Sequence, residues 1–359
     1  MDDLVNVADF ERRAADVLDP GVLGYYAGGA GDERTLRDNV DAFGRWSLRP
    51  RTLVDVSGVS AATTVLGSPS SMPLLVAPTA LHRLAHPDGE PGMARAAAQA
   101  GTIYTMSSLA TSRPHEVAAE CPRAPRWLQL YVLRDRGVSQ ALMDEAIECG
   151  FDAIVLTVDA PRAGRRERDF RTGFAVPADL PMPAIDAAAG GGGPAAMTPA
   201  EFFSLVDATL SWRDLERLAS DCSLPVLVKG IHTAEDAVLA AEHGAAGVIV
   251  SNHGGRQLDG VPAALDMLPE VAEAVGDRVE VLMDGGIRRG TDVLVALALG
   301  ARAVLAGRPL LWGLACGGAA GALRVLEILK AEIELGLTLL GAPTPSDVTR
   351  AHVQPSTRA

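Results

Sequence analysis

One histidine and one arginine lie three residues apart, directly after a short β-branched run. The run Val248-Ile249-Val250 predicts a buried strand, and His253 and Arg256 follow it in a turn that contains two glycines. α/β proteins place their working groups just beyond the carboxyl ends of strands. An imidazole base beside a guanidinium suits a small substrate with a carboxylate next to a reacting hydroxyl. The alternative is that His253 has only a structural role, and the residues at the other strand ends decide between the two interpretations.

Eight apolar, β-rich runs alternate with amphipathic, alanine-rich stretches. This alternation predicts a parallel sheet, and eight such units in about 250 residues have the size of a closed α/β barrel of the TIM (β/α)8 type. We therefore predict a single domain over residues 1–359. The predicted strands are residues 74–78, 103–107, 127–131, 153–159, 225–230, 247–252, 279–286 and 303–308, and the predicted helices are residues 89–100, 112–119, 138–149, 212–220, 233–243, 262–275 and 291–299.

Two additions decorate the predicted barrel. An amino-terminal extension, residues 1–70, contains helices over about residues 9–18 and 32–43, with a flexible turn between them that could place Tyr25 over a pocket. An insertion after the fourth strand, residues 160–211, contains several prolines and the run Gly190-Gly191-Gly192-Gly193-Pro194. A loop of this length and composition is typical of a lid or a disordered linker, and we predict a mobile lid.

Every predicted strand ends in a group that forms hydrogen bonds or carries charge. In a barrel these ends meet at one face, where catalytic groups gather, whereas core positions favour apolar residues. Polarity at every strand end therefore indicates a functional site. In chain order the ends carry Thr79 with Ala80, Ser107, Gln129 with Tyr131, Thr157 with Asp159, Lys229, Ser251 with His253, Asp284 with Gly285, Gly286 and Arg288, and Gly307 with Arg308.

The last two strand ends have the composition of a phosphate site. Glycine turns supply open backbone N–H groups and arginines give bidentate contacts, and barrels usually bind phosphate in these loops. Lys229 points into the same mouth, where it forms a Schiff base or neutralises an anion on a cofactor. Asp159 is expected to pair with His253, raising its pKa and fixing its ring.

Neutral donors complete the set of strand-end groups. Ser107, Gln129 and Thr157 suit the edge of a heterocycle rather than proton transfer. A phosphate site, a row of amide and hydroxyl groups and a central lysine together indicate flavin mononucleotide (FMN), with its ring across the barrel mouth.

Composition excludes some partners. The net charge of −13 argues against nucleic acid and anionic membrane, because both require a basic face. No uninterrupted apolar stretch reaches the roughly 18 residues of a membrane span, and the acidic amino end shows no secretory signal. The four cysteines have no metal-type spacing, so no metal site is predicted. We expect a cytoplasmic protein.

The chain resembles the FMN-dependent 2-hydroxy-acid oxidases, which include glycolate, lactate and mandelate oxidases. The resemblance runs nearly end to end, from the Tyr25-Tyr26-Ala27-Gly28-Gly29-Ala30 segment to the carboxyl region. Its other motifs are Ala77-Pro78-Thr79-Ala80, Leu84-Ala85-His86-Pro87-Asp88-Gly89-Glu90, Gln129-Leu130-Tyr131, Leu156-Thr157-Val158-Asp159 with Gly164-Arg165-Arg166, Ser251-Asn252-His253-Gly254-Gly255-Arg256-Gln257-Leu258-Asp259 and Asp284-Gly285-Gly286-Ile287-Arg288-Arg289-Gly290.

The resemblance implies a role for each residue. His253 takes the substrate hydroxyl proton while the α-hydrogen passes to the flavin as hydride, or it takes the α-proton and leaves a carbanion. Asp159 stabilises the charged imidazole, and Tyr131 bonds the substrate hydroxyl. The implied substrate clamp is Tyr25, Arg256 and Arg166. The implied cofactor contacts are Lys229 beside flavin N1, then Thr79, Ala80, Ser107, Gln129, Thr157 and Ser251 at the ring, and Asp284, Gly285, Gly286, Arg288, Gly307 and Arg308 at the ribityl chain and phosphate.

Two departures from the family pattern concern the substrate pocket. Leu109 stands where glycolate oxidase carries a tryptophan over the substrate, and Ala163 is smaller than the leucine expected before Gly164. Both changes enlarge the pocket. We therefore expect oxidation of an (S)-2-hydroxy acid with a medium aliphatic or aromatic side chain, such as lactate or mandelate, to the 2-oxo acid. Reoxidation by O2 is expected to give hydrogen peroxide.

Three alternatives stay open at this point. A dehydrogenase that passes electrons to a quinone or cytochrome keeps the cofactor, but Ala80, at the position that faces flavin N5 in this family, favours an oxidase. The insertion is also not amphipathic enough to bind a bilayer. A flavin-binding protein without turnover leaves His253 and Arg256 unexplained, and a Schiff-base aldolase would use Lys229. The resemblance further implies a homo-oligomer, a tetramer or octamer.

Overall fold

Eight parallel strands close into a barrel in the computed structural model, which describes residues 3–188 and 197–357. Each strand pairs with the next along the chain, and the last returns to the first, with Leu305 opposite Leu75. The predicted TIM barrel is therefore confirmed, with strand ends shifted by a few residues. The strands are β1 Leu74–Val76, β2 Tyr104–Met106, β3 Arg126–Leu130, β4 Ala153–Thr157, β5 Val226–Ile231, β6 Gly247–Val250, β7 Glu280–Asp284 and β8 Ala303–Ala306.

Helices surround the barrel, and each helix predicted between two strands is present. The extension contributes α1 Val7–Val17, α2 Pro20–Ala27 and α3 Arg34–Asp41. The insertion contributes α7 Glu167–Thr172, α8 Pro183–Ala188 and α9 Pro199–Phe203. The others are α4 Gly89–Ala100, α5 Pro114–Glu120, α6 Arg136–Glu148, α10 Trp212–Asp221, α11 Ala234–Glu242, α12 Ala264–Val275, α13 Gly290–Ala298 and α14 Arg308–Leu340, with 3-10 turns at Ala42–Arg45, His82–Leu84, His253–Gly255, Pro345–Asp347 and Arg350–His352.

The barrel strands read as continuous apolar runs because both of their faces are buried. Alternate residues such as Leu75 and Trp127 fill the barrel interior, while Val76 packs outward against the helices. Two short antiparallel pairs lie outside the barrel: Thr63–Val65 with Ser68–Ser70, and Trp46–Leu48 with Val353–Pro355. The second pair ties the extension to the carboxyl-terminal end of the described chain.

The flexible turn predicted around Tyr25 is wrong, because these residues form helix α2. The Asp19 carboxylate accepts a first-turn N–H at 2.8 Å, and Pro20 occupies the first helical position, where its missing N–H costs nothing. Tyr25 and Tyr26 are buried. Burial of two aromatic rings outweighs the poor helix propensity of the glycines in this segment.

Helix α3 fastens the extension to the segment after β6. Asn39 and Asn252 exchange side-chain amide hydrogen bonds of 2.8 Å in both directions. Asp259 accepts from the backbone N–H groups of Asp32 and Thr35 at 3.0 and 2.9 Å. A carboxylate far along the chain thus caps the amino end of α3 and favours its dipole.

Helix α14 was not among the predicted helices. It is the single helix in the described ranges that is long and apolar enough, by length and composition, to cross a membrane, but 61% of the relevant window is buried inside the fold. The backbone also breaks at Gly317 and Gly318, and Asp88 caps the second half by accepting from the Ala319 N–H at 2.9 Å. These features are those of a core helix.

The described part of the insertion is folded rather than extended. Phe202, Phe203 and Val206 are buried against the body of the protein. The glycine run over residues 190–194 lies outside the described residues. Mobility of this segment therefore stays a prediction.

We expect Asn39→Ala to weaken the docking of the extension. The change removes both hydrogen bonds with the buried Asn252 amide and deprives the Ala264 N–H of its acceptor, so the free energy of unfolding should fall by about 1–3 kcal/mol. Chemical denaturation measures this loss. The matched control is Arg37→Ala, an exposed position on the same helix, which should change stability by less than about 0.5 kcal/mol. Equal losses of stability in the two variants would contradict the docking role of the hydrogen bonds between Asn39 and Asn252.

Candidate active site

A cavity lies at the carboxyl end of the barrel strands. It encloses about 970 Å3 of empty space, part of which is open to solvent. The structure thus brings together nearly all of the side chains that the sequence placed at the mouth. The predicted residues on its wall are Tyr25, Thr79, Ala80, Ser107, Leu109, Gln129, Tyr131, Thr157, Arg166, Lys229, His253, Arg256, Asp284, Gly285, Gly286, Arg288, Gly307 and Arg308.

Three residues singled out from the sequence are not on the wall. Asp159 lies behind His253, and Ser251 is fully buried behind Lys229. Ala163 is partly buried without lining the cavity, so the predicted enlargement of the pocket rests on Leu109.

The turn after β6 aims the imidazole back into the mouth. His253 has φ +59°, and Gly254 and Gly255 have φ +62° and +75°, so three consecutive residues are left-handed. A non-glycine residue in this region is unfavourable and persists only when its surroundings hold it. The Asn252 side chain does so by accepting from the Gly255 N–H at 3.1 Å. This strained turn is the local reason why His253 faces the cavity.

The imidazole of His253 has a partner at each ring nitrogen. Nδ1 lies 2.9 Å from Asp159 Oδ1, and Nε2 lies 3.3 Å from the Tyr131 hydroxyl. The carboxylate can only accept, so a neutral ring carries its proton on Nδ1 and leaves Nε2 free to accept a proton. Burial lowers the pKa of His253, and the opposing pull of Asp159 does not restore it. The predicted rise in this pKa is therefore wrong.

Two guanidiniums lie on the same side of the cavity as the histidine. Arg256 donates to the carbonyl of Gly28 at 2.9 Å and lies 4.9 Å from the centre of the Tyr25 ring. Arg166 is buried, and its side chain donates to the carbonyl of Arg256 at 3.3 Å and lies 5.5 Å from the centre of the Phe203 ring. Burial, together with the charge of Arg256, lowers the pKa of Arg166 to about 10, so it stays cationic at neutral pH.

Lys229 is a buried, charged group at the end of β5. Its ammonium donates to Ser251 Oγ at 2.9 Å and lies 3.1 Å from Asp284 Oδ2. Burial acts to lower its pKa, but Asp284 and Asp159 outweigh this, and the pKa of Lys229 is raised. A lysine with a raised pKa is a poor nucleophile, which argues against the aldolase alternative. Ser251 also accepts from the backbone N–H of His253 at 3.0 Å and so links the two groups.

The neutral residues form one oriented chain of hydrogen bonds. Gln129 Oε1 accepts from the Ser107 hydroxyl at 3.1 Å and from the Ser108 N–H at 3.2 Å. Gln129 Nε2 donates to Thr157 Oγ1 at 3.0 Å. The chain fixes the amide orientation of Gln129 and presents polar groups along one wall, which fits the polar edge of a flavin ring.

The cavity wall around Arg308 has an excess of positive charge. Arg308 donates to the carbonyls of Tyr26, Gly254 and Gly28 at 2.9, 3.0 and 3.0 Å. Burial, together with the nearby cations Arg256 and Arg288, lowers the pKa of Arg308. Helix α14 also begins here, without a side-chain cap at Gly307. Buried cations beside the amino end of a helix together fit a phosphate group.

Asp284 provides a second observation on whether the cavity fits FMN. Its Oδ2 pairs with Lys229, whereas its buried Oδ1 has no hydrogen-bond partner among the described residues. A buried acceptor of this kind requires a donor, and the hydroxyls of a ribityl chain are donors. The residues present therefore fit FMN at the ring, the ribityl chain and the phosphate.

Gly286 has a physical reason to be glycine in addition to the one predicted. A Cβ on Gly286 would lie 1.9 Å from the carbonyl oxygen of Asn39, so helix α3 packs directly on its backbone. Its φ of +81° also favours glycine. Close packing of the extension therefore requires glycine here, and the contact of Gly286 with the cofactor stays a prediction.

Sequence reasoning did not single out two residues that shape the site. Phe203 lines the cavity with its ring centre 5.6 Å from that of Tyr131, but it lies in the insertion, where no periodic pattern marks it. Asn39 holds the histidine turn from helix α3. A polar residue on the buried face of a predicted amphipathic helix was the available signal.

Residues 14–355 match the model of a protein family described as FMN-dependent dehydrogenase. The chain belongs to this family. FMN is accordingly its cofactor, and the enzyme class predicted from the sequence is confirmed at the level of the family.

Named relatives and solved structures of this family cover almost the whole chain. The peroxisomal (S)-2-hydroxyacid oxidase GLO4 of Arabidopsis thaliana is 48% identical over 354 residues, which cover 99% of this chain and 97% of the relative. A mandelate oxidase solved with (S)-4-hydroxymandelic acid is 41% identical with a TM-score of 0.91, covering 98% of this chain and 99% of that one. A putative lactate oxidase of Pediococcus acidilactici is 38% identical with a TM-score of 0.93, covering 99% and 96%.

We expect Arg288→Gln to weaken FMN binding about 10- to 150-fold, because one charge-assisted hydrogen bond to phosphate is worth about 1.5–3 kcal/mol. Fluorescence titration of the apoprotein measures this change. Riboflavin, which lacks the phosphate, should bind the variant and the parent equally.

The neighbouring arginine supplies the matched control. Arg289 is half exposed and pairs with Glu332 at 2.7 Å, away from the cavity. Arg289→Gln should leave both dissociation constants within about twofold. Equal weakening of FMN and riboflavin by Arg288→Gln would place the phosphate elsewhere.

Proposed function

We propose that this protein oxidises an (S)-2-hydroxy acid to the 2-oxo acid and that O2 reoxidises the flavin to give hydrogen peroxide. The observation that carries the proposal is the convergence of His253, backed by Asp159, with Arg256, Arg166 and Tyr131 at one cavity that fits FMN. A base, a pair of cations and a hydroxyl donor are the groups that a 2-hydroxy carboxylate requires.

His253 acts as the base in this proposal. Its neutral Nε2 accepts one proton from the substrate, and Asp159 fixes the proton-bearing Nδ1 and stabilises the imidazolium that forms. FMN, when bound, accepts the two electrons that leave the substrate α-carbon. The same residue serves a hydride transfer coupled to hydroxyl deprotonation and an initial α-proton removal, so both schemes stay open.

The cations and the tyrosine orient the substrate. Arg256 and Arg166 bind the carboxylate, and the buried site strengthens each charge-assisted contact. Burial and the charge of Asp159 raise the pKa of Tyr131, so its hydroxyl keeps its proton and donates to the substrate hydroxyl oxygen. Substrate is thereby held with its reacting hydroxyl near His253 Nε2.

The side chain of the substrate meets apolar groups. Leu109 and the Phe203 ring line the cavity, and Leu109 is smaller than the tryptophan of glycolate oxidase. We propose a medium aliphatic or aromatic side chain, as in lactate or mandelate. The relatives named for 2-hydroxy acids, lactate and mandelate support the range of substrates but do not choose among them.

Several expectations stay predictions. A cytoplasmic location, a homotetramer or octamer, and the absence of nucleic-acid and membrane partners rest on composition and resemblance.

Hydrogen peroxide yield, measured against reduction of an artificial dye, distinguishes an oxidase from a dehydrogenase that serves a quinone or cytochrome.

We expect Asp159→Asn to lower the rate of anaerobic flavin reduction about 10²- to 10⁴-fold, because the imidazolium loses its counter-charge. In the parent enzyme the rate should rise with pH through a His253 pKa below 6.5 and then stay level, since the neutral base is active. Removing the carboxylate removes an influence that raises this pKa, so the acid limb should move to lower pH.

Stopped-flow measurement of flavin bleaching against pH tests both statements. Glu167→Gln, an exposed carboxylate of α7 that pairs with Arg171, is the control and should alter neither the rate nor the limb. An acid limb displaced to higher pH in Asp159→Asn would contradict the assignment of His253 as the base.

We expect Leu109→Trp to reduce kcat/KM for mandelate relative to glycolate about 10- to 200-fold, the range that a modest change in an apolar pocket produces. Steady-state kinetics across a series of side-chain sizes measures the ratio. Leu339→Trp, at an exposed position of α14, controls for the substitution itself. Preference of the parent enzyme for glycolate over every larger acid would refute the proposed substrate range.

A further inference from the structure

A second histidine lies behind the cavity wall and is used by none of the steps above. His82 is fully buried, and its Nε2 lies 2.6 Å from Oγ1 of Thr79, which lines the cavity. Nothing in the sequence analysis singled out His82. Its short contact with a wall residue makes it the strongest candidate for an additional functional group.

The backbone that carries His82 is strained and held from three directions. Leu81 has φ +62°, a region that favours glycine. The Tyr26 hydroxyl donates to the Leu81 carbonyl at 2.6 Å, and the Leu81 N–H donates to the Leu109 carbonyl at 3.1 Å. The His82 N–H donates to Glu90 Oε1 at 3.0 Å. Strain maintained by so many contacts indicates that the direction of the His82 ring matters.

Glu90 holds this loop rather than acting on the ring. Its carboxylate is fully buried and also accepts from the Thr111 N–H at 2.9 Å and from the Thr111 hydroxyl at 2.5 Å. The pattern couples the loop that carries His82 to the loop after β2. Both ring nitrogens of His82 are left for other partners.

The surroundings of the ring determine which nitrogen carries the proton. Nδ1 of His82 is buried and has no hydrogen-bond partner within residues 3–188 and 197–357. A buried N–H without a partner is rarer and more costly than an unused lone pair. The proton therefore belongs on Nε2, and burial, which lowers the pKa of His82, keeps the ring neutral. In this tautomer His82 donates to Thr79.

We propose that His82 is a positioning residue that makes the Thr79 hydroxyl a hydrogen-bond donor toward the cavity. An oxygen that accepts from His82 keeps its own proton for another partner, whereas one that donates to His82 does not. The inference rests on the proposed function, because the partner is the FMN held in the cavity. A donor on this wall stabilises the negative charge that a flavin gains on reduction.

Substitutions of His82 and Thr79 test this through the midpoint potential of FMN in the holoprotein, measured by equilibration with dyes. His82→Leu and Thr79→Val should each reduce the preference for reduced over oxidised FMN by up to about tenfold, a fall of up to about 30 mV for a two-electron couple. The double variant should match Thr79→Val alone, because His82 acts only through that hydroxyl.

The matched control is Tyr104→Phe. The Tyr104 ring centre lies 6.3 Å from that of His82, and its buried hydroxyl has no partner among the described residues. Its removal should leave the potential unchanged. An unchanged potential in His82→Leu, or a further fall when His82→Leu is added to Thr79→Val, would overturn the proposal.

A measurement on the parent holoprotein covers the case in which His82→Leu does not fold. The ¹⁵N shifts of labelled histidine, assigned by their response to Thr79→Val, should show the His82 proton on Nε2. A proton on Nδ1 would overturn the proposal. Neither readout requires turnover, so failure of the positioning role and failure of the proposed oxidation remain distinguishable.

Discussion

The active cavity depends on a surplus of buried positive charge. Asp159 and Asp284 pair with His253 and Lys229, whereas Arg256 and Arg308 contact backbone carbonyls. Removing a charge from water is costly unless a counter-charge replaces the hydration. The cavity is therefore suited to binding anions at the points where carboxylates are missing. Its cations are Arg166, Arg256, Lys229, Arg288 and Arg308.

The same charges act on His253, the proposed base. Burial is the main influence that lowers the pKa of His253, and Lys229 and Arg166 add to it while Asp159 opposes it. The ring is therefore held neutral without losing the carboxylate that stabilises its charged form. Groups that attract an anionic substrate thus also keep the base able to accept a proton.

The sequence was sufficient for the barrel and for most of the wall of the site. Continuous apolar, β-rich runs ending in polar groups recur often enough to define β1 to β8, and parallel strands necessarily bring those ends together. It was insufficient for α2, where burial of Tyr25 and Tyr26 decides against glycine propensity. It also gave the wrong direction for the His253 pKa, because burial is a tertiary property.

Residues that act through contacts between distant segments were the hardest to predict. Asn39 and Phe203 each lie in a stretch whose local pattern is unremarkable, and each acquires its role from a partner far along the chain. His82 contacts Thr79, three residues away, but its loop is held by Tyr26 from helix α2. For Gly286 the sequence singled out the residue but not the packing that requires glycine there, because that packing is against helix α3. Composition at a strand end identifies chemistry, whereas packing between segments has no local signature.

The amide exchange between Asn39 and Asn252 joins residues 213 positions apart, so the order of synthesis on the ribosome matters. Helix α3 emerges early and has no partner until the histidine turn follows much later. The partner of the strand Trp46–Leu48 is synthesised later still, because that partner is Val353–Pro355. The extension can therefore complete these contacts only after the carboxyl-terminal region has been synthesised, and the wall of the cavity that it forms is completed by pairs far apart along the chain.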